Sequence, residues 1–323
     1  MTSRRQTLVV LTSAVLAPSA GAQERVRRVA WFGAGRPGAR SPFLDAVIAG
    51  LREKGWEDGR NLRIAQYLNE GTVQESDFIA RQIVASDPEV IVVYGRDVLT
   101  MSNLRPPQPV VFAFSGDPVD GGIVKSFARP GGNFTGLSFM SLDLAAKRIE
   151  VLREIVPNIR RLGILARPEH PGEHQERAVS ESVAAKLGFS VVYAPIQGAQ
   201  SIDGALQKIG QAKCDALLVF PDGVMVGASE RIAKFASEER LPTISGWDRF
   251  ADNGFLASYG PNLRESYRRL GHIADRVLRG TKPSDIPVEY PQSVEMVLNM
   301  RTAGALGLKL SQSVVARADR LIQ

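Results

Sequence analysis

Arginine and aspartate recur in this chain just past short apolar runs, where an open α/β sheet would present ligand contacts. Arg96 and Arg167 both follow such runs, and a guanidinium there can hold a carboxylate through two parallel N–H bonds. Asp117, Asp222 and Asp248 occupy similar places and suit an ammonium or hydroxyl groups. The candidate ligand-binding set is Ala34-Gly35-Arg36, Gly95-Arg96-Asp97, Ser115-Gly116-Asp117, Ser138-Phe139, Arg167 with Glu169, Pro221-Asp222-Gly223, Trp247-Asp248 and Tyr259. Small residues at these points expose backbone N–H groups at helix starts, which attract anions. Trp247 and Tyr259 add flat apolar faces with a polar edge. Taken singly, each of these is also an ordinary turn or capping residue. Taken together they describe one cleft.

Other chemistry fits less well. Gly33-Ala34-Gly35-Arg36-Pro37-Gly38 matches G-x-G-x-x-G after a strand-like run, but Pro37 and Pro42 delay the helix beyond the third glycine. No acidic residue ends the second run at the usual spacing, since Glu70 comes later, so a ligand loop replaces the dinucleotide reading. His170-Pro171-Gly172-Glu173-His174 matches H-x-x-E-H, yet Pro171-Gly172 interrupts the helix that two zinc-binding histidines would need. That segment reads as a surface loop, and neither a metal nor a cofactor is expected. Asn133-Phe134-Thr135 is a formal glycosylation sequon inside glycine-rich backbone. Cys214, the one cysteine, excludes an intrachain disulfide and reads as a small core-edge residue. A nucleophile elbow and a P-loop are both missing from the sequence, and three histidines offer few general bases.

The elements that must position the candidate residues alternate. Strand-like runs fall at 29–32, 62–67, 90–94, 110–114, 134–139, 162–166, 190–194, 216–220, 243–245, 255–259 and 294–298. Several, such as Val90-Ile91-Val92-Val93-Tyr94, are apolar without a break, which suits parallel strands covered on both faces. Amphipathic helices lie between them, with Ser41 and Ser141 as N-cap candidates and Gly55, Pro157, Gly188 and Gly280 as stops. Repeated βα units imply right-handed crossovers and doubly wound parallel sheets. Eleven strands exceed one modest sheet, so the expectation is two lobes: 23–138 plus 257–290, and 139–256 plus 291–323. Crossings between lobes are expected in the punctuated segments at 129–133, around Gly254 and around Pro291. Three connections make a hinge about which the lobes open and shut.

Composition bounds the setting. Arg4-Arg5, the apolar run 8–16 and Ala20-Gly21-Ala22 form an export signal, residues 1–22, cleaved after Ala22; a twin-arginine signal is the alternative to an ordinary one. The apolar run is too short to span a bilayer, so no membrane-embedded form is expected. The formal charge of +6 comes from 40 basic and 34 acidic residues and falls to +4 without Arg4 and Arg5. These charges are mixed along the chain, which argues against nucleic acid as a partner.

Three blocks carry a family resemblance: Phe114-Ser115-Gly116-Asp117-Pro118-Val119, Ala128-Arg129-Pro130-Gly131-Gly132-Asn133-Phe134-Thr135-Gly136 and Leu144-Ala145-Ala146-Lys147-Arg148-Ile149-Glu150-Val151-Leu152. With Ser258-Tyr259-Gly260, Gly280-Thr281-Lys282-Pro283-Ser284-Asp285-Ile286-Pro287-Val288 and Ala303-Gly304-Ala305-Leu306-Gly307-Leu308, they closely resemble the ABC transporter substrate-binding family of tryptophan/tyrosine type. The resemblance implies a type I periplasmic-binding fold, a ligand in the cleft, and a membrane permease with a cytoplasmic ATPase as partner. It implies a periplasmic, monomeric solute-binding protein without enzymatic activity, closing on a small carboxylate-bearing ligand, an amino acid or an aromatic acid. A sensing subunit for a membrane receptor and an exported α/β enzyme using cleft carboxylates are the alternatives. A transcriptional regulator would need a DNA-binding segment where the export signal stands. Relatives of this type often carry small or hydroxyl residues in place of Arg96-Asp97, and Asn in place of Arg167. Those departures point to a carboxylate ligand, not necessarily an aromatic amino acid.

Overall fold

Uninterrupted apolar runs become central parallel strands because both faces of each sheet are covered. The computed structural model describes residues 25–35, 38, 41–69 and 72–323. The expected leader, residues 1–22, and the candidate Arg36 lie outside the described residues. The chain begins with β1 (Arg27–Ala34), α1 (Pro42–Arg52), β2 (Leu62–Asn69), α2 (Val73–Ala85), β3 (Val90–Tyr94), α3 (Asp97–Leu104), β4 (Val110–Phe114) and β5 (Phe134–Ser138). These five strands form one parallel sheet in the order β2-β1-β3-β4-β5. Next come α4 (Ser141–Ile155), β6 (Arg161–Ala166), α5 (Glu173–Lys186), β7 (Ser190–Pro195), α6 (Ile202–Gln211), β8 (Ala216–Val219), α7 (Gly223–Gly227), α8 (Ser229–Glu238), β9 (Thr243–Ser245) and α9 (Asp248–Asp252). The chain ends with β10 (Ala257–Pro261), α10 (Leu263–Leu278), β11 (Val294–Asn299), α11 (Met300–Ala305), α12 (Gln312–Ala316) and β12 (Arg320–Ile322).

The second sheet runs β12-β11-β10-β9-β8-β6-β7. All of its pairs are parallel except β10 with β11. The fold is therefore the expected one, two doubly wound α/β lobes. Each expected strand is present to within two residues at its ends, and β12 is an addition. Period-two alternation sends Val29 and Trp31 to one face of β1 and Ala30 and Phe32 to the other, all four fully buried. No helix among the described residues is long and apolar enough to cross a membrane.

The crossings differ from two expectations. Residues 129–133 join β4 to β5 within the first sheet, where the Asn133 amide donates to the Pro106 and Gln108 carbonyls at 2.6 and 2.7 Å. Gly254 joins α9 to β10 within the second sheet. Strand 257–261 hydrogen-bonds to β9 and β11, so it is a second-sheet strand and not part of the first lobe. The chain passes between sheets after β5, at Asn262, and between Glu289, bridged to Leu137, and β11. Ser41 caps α1 as expected, accepting from the Leu44 N–H at 3.3 Å. Ser141 does not cap α4: it is that helix's first residue, and the chain turns ahead of it through Met140 in the left-handed region, φ 54°.

After crossing, α10 returns to pack on α1 beside the first sheet. Its amphipathic stripe of Leu263, Tyr267, Leu270, Ala274 and Val277 is buried. The two helices approach closely because Gly50 and Gly271 present no side chain at the contact. A methyl group on Gly50 would lie 2.0 Å from the Arg268 carbonyl oxygen, and one on Gly271 would lie 2.4 Å from that of Val47. Overpacking of this kind costs about 1–3 kcal/mol. Gly50→Ala is therefore expected to lower the urea-unfolding free energy by that amount. Gly204→Ala, in α6 with no atom within 4 Å of the added methyl, is expected to leave it unchanged or raise it slightly.

Candidate functional site

In doubly wound sheets the ligand crevice lies at the carboxyl ends of the strands, where the strand order reverses. In the first sheet that reversal falls between β1 and β3, and in the second between β6 and β8. The loops that leave these four strands face one another across a cavity of about 680 Å³. Ala34 ends β1 and Gly35 follows it, Gly95, Arg96 and Asp97 follow β3, Arg167 and His170 follow β6, and Asp222 and Gly223 follow β8. Ser115, Phe139 and Trp247 complete the part of the expected set that lines the cavity.

The first lobe contributes an aromatic wall. Tyr94 and Phe43 line it with Phe139 and Tyr267. Phe43 stacks on Tyr267 with ring centroids 4.5 Å apart, and Tyr94 stacks on the buried Trp31 at 4.9 Å. The Tyr94 hydroxyl donates to the Ala34 carbonyl, which ties the ends of β1 and β3 together. Burial pushes both the Tyr94 and Tyr267 hydroxyls well above their usual range, so both stay neutral. At the floor, Asp97 accepts from the Asn69 amide at 2.9 Å and from the Ser76 hydroxyl. Burial raises its carboxyl, while those two hydrogen bonds oppose the rise.

The second lobe contributes charge. Arg167 Nε donates to Asp222 Oδ2 at 2.7 Å, with the carboxylate 3% exposed. The other oxygen of Asp222 accepts from the Val224 and Met225 N–H groups at 2.7 and 3.1 Å and so caps α7. His170 Nδ1 lies 3.9 Å from Asp222, and His170 Nε2 is buried with no partner among the described residues. Burial holds this imidazole down to about 4, with Arg167 and Arg148 acting in the same sense and Asp222 against it. Behind it, Arg148 donates to Glu176 at 2.6 Å in a fully buried ion pair, and to the Tyr259 carbonyl at 3.0 Å. Burial raises the Glu176 carboxyl to about 7.

Seven candidates fall outside the cavity lining. Asp117 accepts from the Val119 and Asp120 N–H groups at 2.7 and 3.2 Å and shapes a turn. Gly116 lies against the other lobe, where a methyl group would be 3.2 Å from the Pro171 carbonyl carbon. Next to it, Gln175 donates to Asp120 at 2.9 Å across the same gap. Ser138 is buried, its N–H donating to the Glu289 carbonyl. Glu169 is exposed and Pro221 is buried. Asp248 lies 3.8 Å from Arg320, and Tyr259 packs on the second-sheet core. Asp117, Asp248 and Tyr259 follow or sit on β4, β9 and β10, one or two strands from the reversals.

Sequence reasoning missed Phe43, Asn69, Tyr94, His170, Ile202 and Tyr267, all of which line the cavity. Tyr94 and Asn69 are the last residues of their strands, the same signal that selected their neighbours. His170 belongs to a loop expected at the surface, whereas His170 and Glu173 are both buried and Glu173 accepts from the Tyr193 hydroxyl at 2.7 Å. Among the described residues no group of three or more His, Cys, Asp or Glu side chains gathers as metal ligands would.

The family model described as ABC transporter substrate binding protein matches residues 38–322. A tyrosine-binding protein of Clostridioides difficile strain R20291 is 26% identical over 274 residues, 83% of this chain and 78% of its own length. The crystal structure of a conserved domain protein from Vibrio cholerae O1 biovar El Tor aligns with a TM-score of 0.85 at 26% identity, covering 92% of this chain and all of its own. That of an ABC domain from Streptococcus pneumoniae in complex with L-Trp aligns with a TM-score of 0.83 at 22% identity, over the same shares of the two chains.

The depressed His170 has a measurable consequence. Its imidazole stays neutral in the folded chain down to about pH 4 but takes a proton near pH 6.5 once unfolded. The folded state thus binds fewer protons between those values, so this group's contribution is fully present above pH 6.5 and lost as pH falls towards 4. Relative to His170→Gln, the parent protein is expected to lose on the order of 3 kcal/mol of unfolding free energy over that interval, measured by urea titration at each pH.

Proposed function

We propose a function from one premise: the chain belongs to the ABC transporter substrate-binding protein family. It is the extracytoplasmic solute-binding component of an importer, capturing a small carboxylate-bearing ligand, an amino acid or an aromatic acid, without turning it over. The observation that carries this reading is a single cavity at the strand-order reversals of both sheets, with an aromatic wall on one lobe and Arg167 on the other. The similarity to a tyrosine-binding protein and to a domain holding L-Trp supports an aromatic body for the ligand.

Binding proceeds in two stages. The apolar part of the ligand settles against Tyr94, Phe139 and Tyr267, and the second lobe then swings about the three crossings to place Arg167 and Trp247 on it. Only contacts that exist in the closed form can drive that movement, so ligand residues must come from both lobes. The closed form is what a membrane permease with its cytoplasmic ATPase would accept. The protein acts as a monomer in the periplasm after removal of its leader.

A ligand at one hundred times its Kd adds about 2.7 kcal/mol of stability, well within reach of a thermal-shift measurement. In a screen of L-tryptophan, L-tyrosine, L-phenylalanine and their aromatic acid counterparts, at least one compound is expected to raise the parent Tm. Trp247→Ala and Arg167→Gln are each expected to abolish that rise while keeping the parent far-UV circular dichroism. A full rise in both variants would place the ligand elsewhere.

A further inference from the structure

We infer that the cleft selects an aromatic carboxylic acid that lacks an α-ammonium group, in preference to the corresponding amino acid. The inference rests on the solute-binding reading above and names the ligand class of that same site.

An amino acid brings two charges into a cleft, and each must meet a partner there, because a buried charge left alone is expensive. The described lining is well supplied for one of them only. Arg167 engages Asp222 through Nε alone, which leaves its two terminal nitrogens for a ligand carboxylate. Arg96 lines the cavity from the opposite lobe, and its guanidinium makes no hydrogen bond or ion pair with a described residue. Arg231 at the rim adds a third guanidinium, paired with the exposed Asp203.

The two lining carboxylates are already engaged. Asp222 accepts three bonds, from Arg167 and from the Val224 and Met225 N–H groups. Asp97 has one oxygen on Asn69 and the other on Ser76, and is 4% exposed. The other aspartates expected to hold an ammonium, Asp117 and Asp248, lie outside the cavity lining. With Arg231 paired to Asp203 and Arg167 holding Asp222 through Nε alone, the guanidinium of Arg96 and the terminal nitrogens of Arg167 are the cationic groups of the described lining still open to a ligand.

His170 adds an observation at the same corner. It is buried, lines the cavity, and its Nε2 has no partner among the described residues, so one hydrogen bond is open to a ligand at this point. Burial is the main reason its imidazole stays uncharged; Asp222 opposes it, and Arg167 and Arg148 act in the same sense as burial. An ammonium brought to the same corner would meet the same burial and the same two arginines, and the one carboxylate there, Asp222, is already bonded to Arg167. The cavity favours a negative head and penalises a positive one, while Tyr94, Phe139, Tyr267 and Trp247 hold a flat apolar body.

Isothermal titration of the purified protein with matched pairs tests this. The pairs are indole-3-propionate with L-tryptophan, 3-(4-hydroxyphenyl)propionate with L-tyrosine, and 3-phenylpropionate with L-phenylalanine. The expected result is at least tenfold tighter binding of the acid in the best-bound pair, and loss of at least tenfold in that affinity in Arg167→Gln. An amino acid that binds as tightly as its acid, or more tightly, overturns the inference and leaves the solute-binding reading standing. If no member of any pair binds, the aromatic-carboxylate reading of the cleft fails, and the inference with it.

Discussion

One ion pair governs how this cleft behaves: Arg167 bound to Asp222 at the point where the second sheet reverses its strand order. Asp222 also caps α7 through two backbone N–H groups, so one carboxylate fixes a loop, a helix start and a guanidinium together. Breaking a buried pair of this sort leaves an uncompensated charge and costs several kcal/mol. In the proposed binding mode the pair keeps Asp222 engaged and leaves the two terminal nitrogens of Arg167 for the ligand carboxylate. The neutral His170 beside it follows from the same burial.

The rest of the architecture serves to bring that corner opposite the aromatic wall. Both sheets bury apolar residues on each face, and the strands carry their loops to the same end. Tyr94, the last residue of β3, reaches the cavity because its hydroxyl is anchored on the Ala34 carbonyl of β1. Gly116 and Gly172 bring the two lobes into backbone contact at one edge; Gly172, φ 82°, has its Cβ direction 3.0 Å from Gly116 Cα. Any side chain there would hold the lobes apart.

Much of this was legible in the sequence, for physical reasons that also explain the failures. Runs such as 90–94 announce buried parallel strands because no polar residue interrupts them, whereas β12, Arg-Leu-Ile with an exposed start, carries no such signal. Glycine and proline at 129–133 mark a turn without saying which sheet follows it. The same limit applies to strand 257–261: pairing partners are tertiary facts, and Gly254 only ends a short helix. The loops around Arg96, Arg167 and Asp222 could be found from their place after strands. Asp117, Asp248 and Tyr259 have the same local signature, yet Ser115 and Trp247, which also follow β4 and β9, do line the cavity, so which residue of each loop reaches it is decided by tertiary packing. Tyr267 reads as one more apolar position on an amphipathic helix, and only the packing of α10 on α1 turns it towards the cavity.

The most direct measurement is a crystal structure of the protein with a bound aromatic acid. The account predicts a carboxylate within hydrogen-bond distance of the terminal nitrogens of Arg167, its ring against the Tyr94–Tyr267 wall, and Asp222 still bound to Arg167 Nε. A ligand whose head group displaces that ion pair, or one seated outside the cavity between the two sheets, would contradict it.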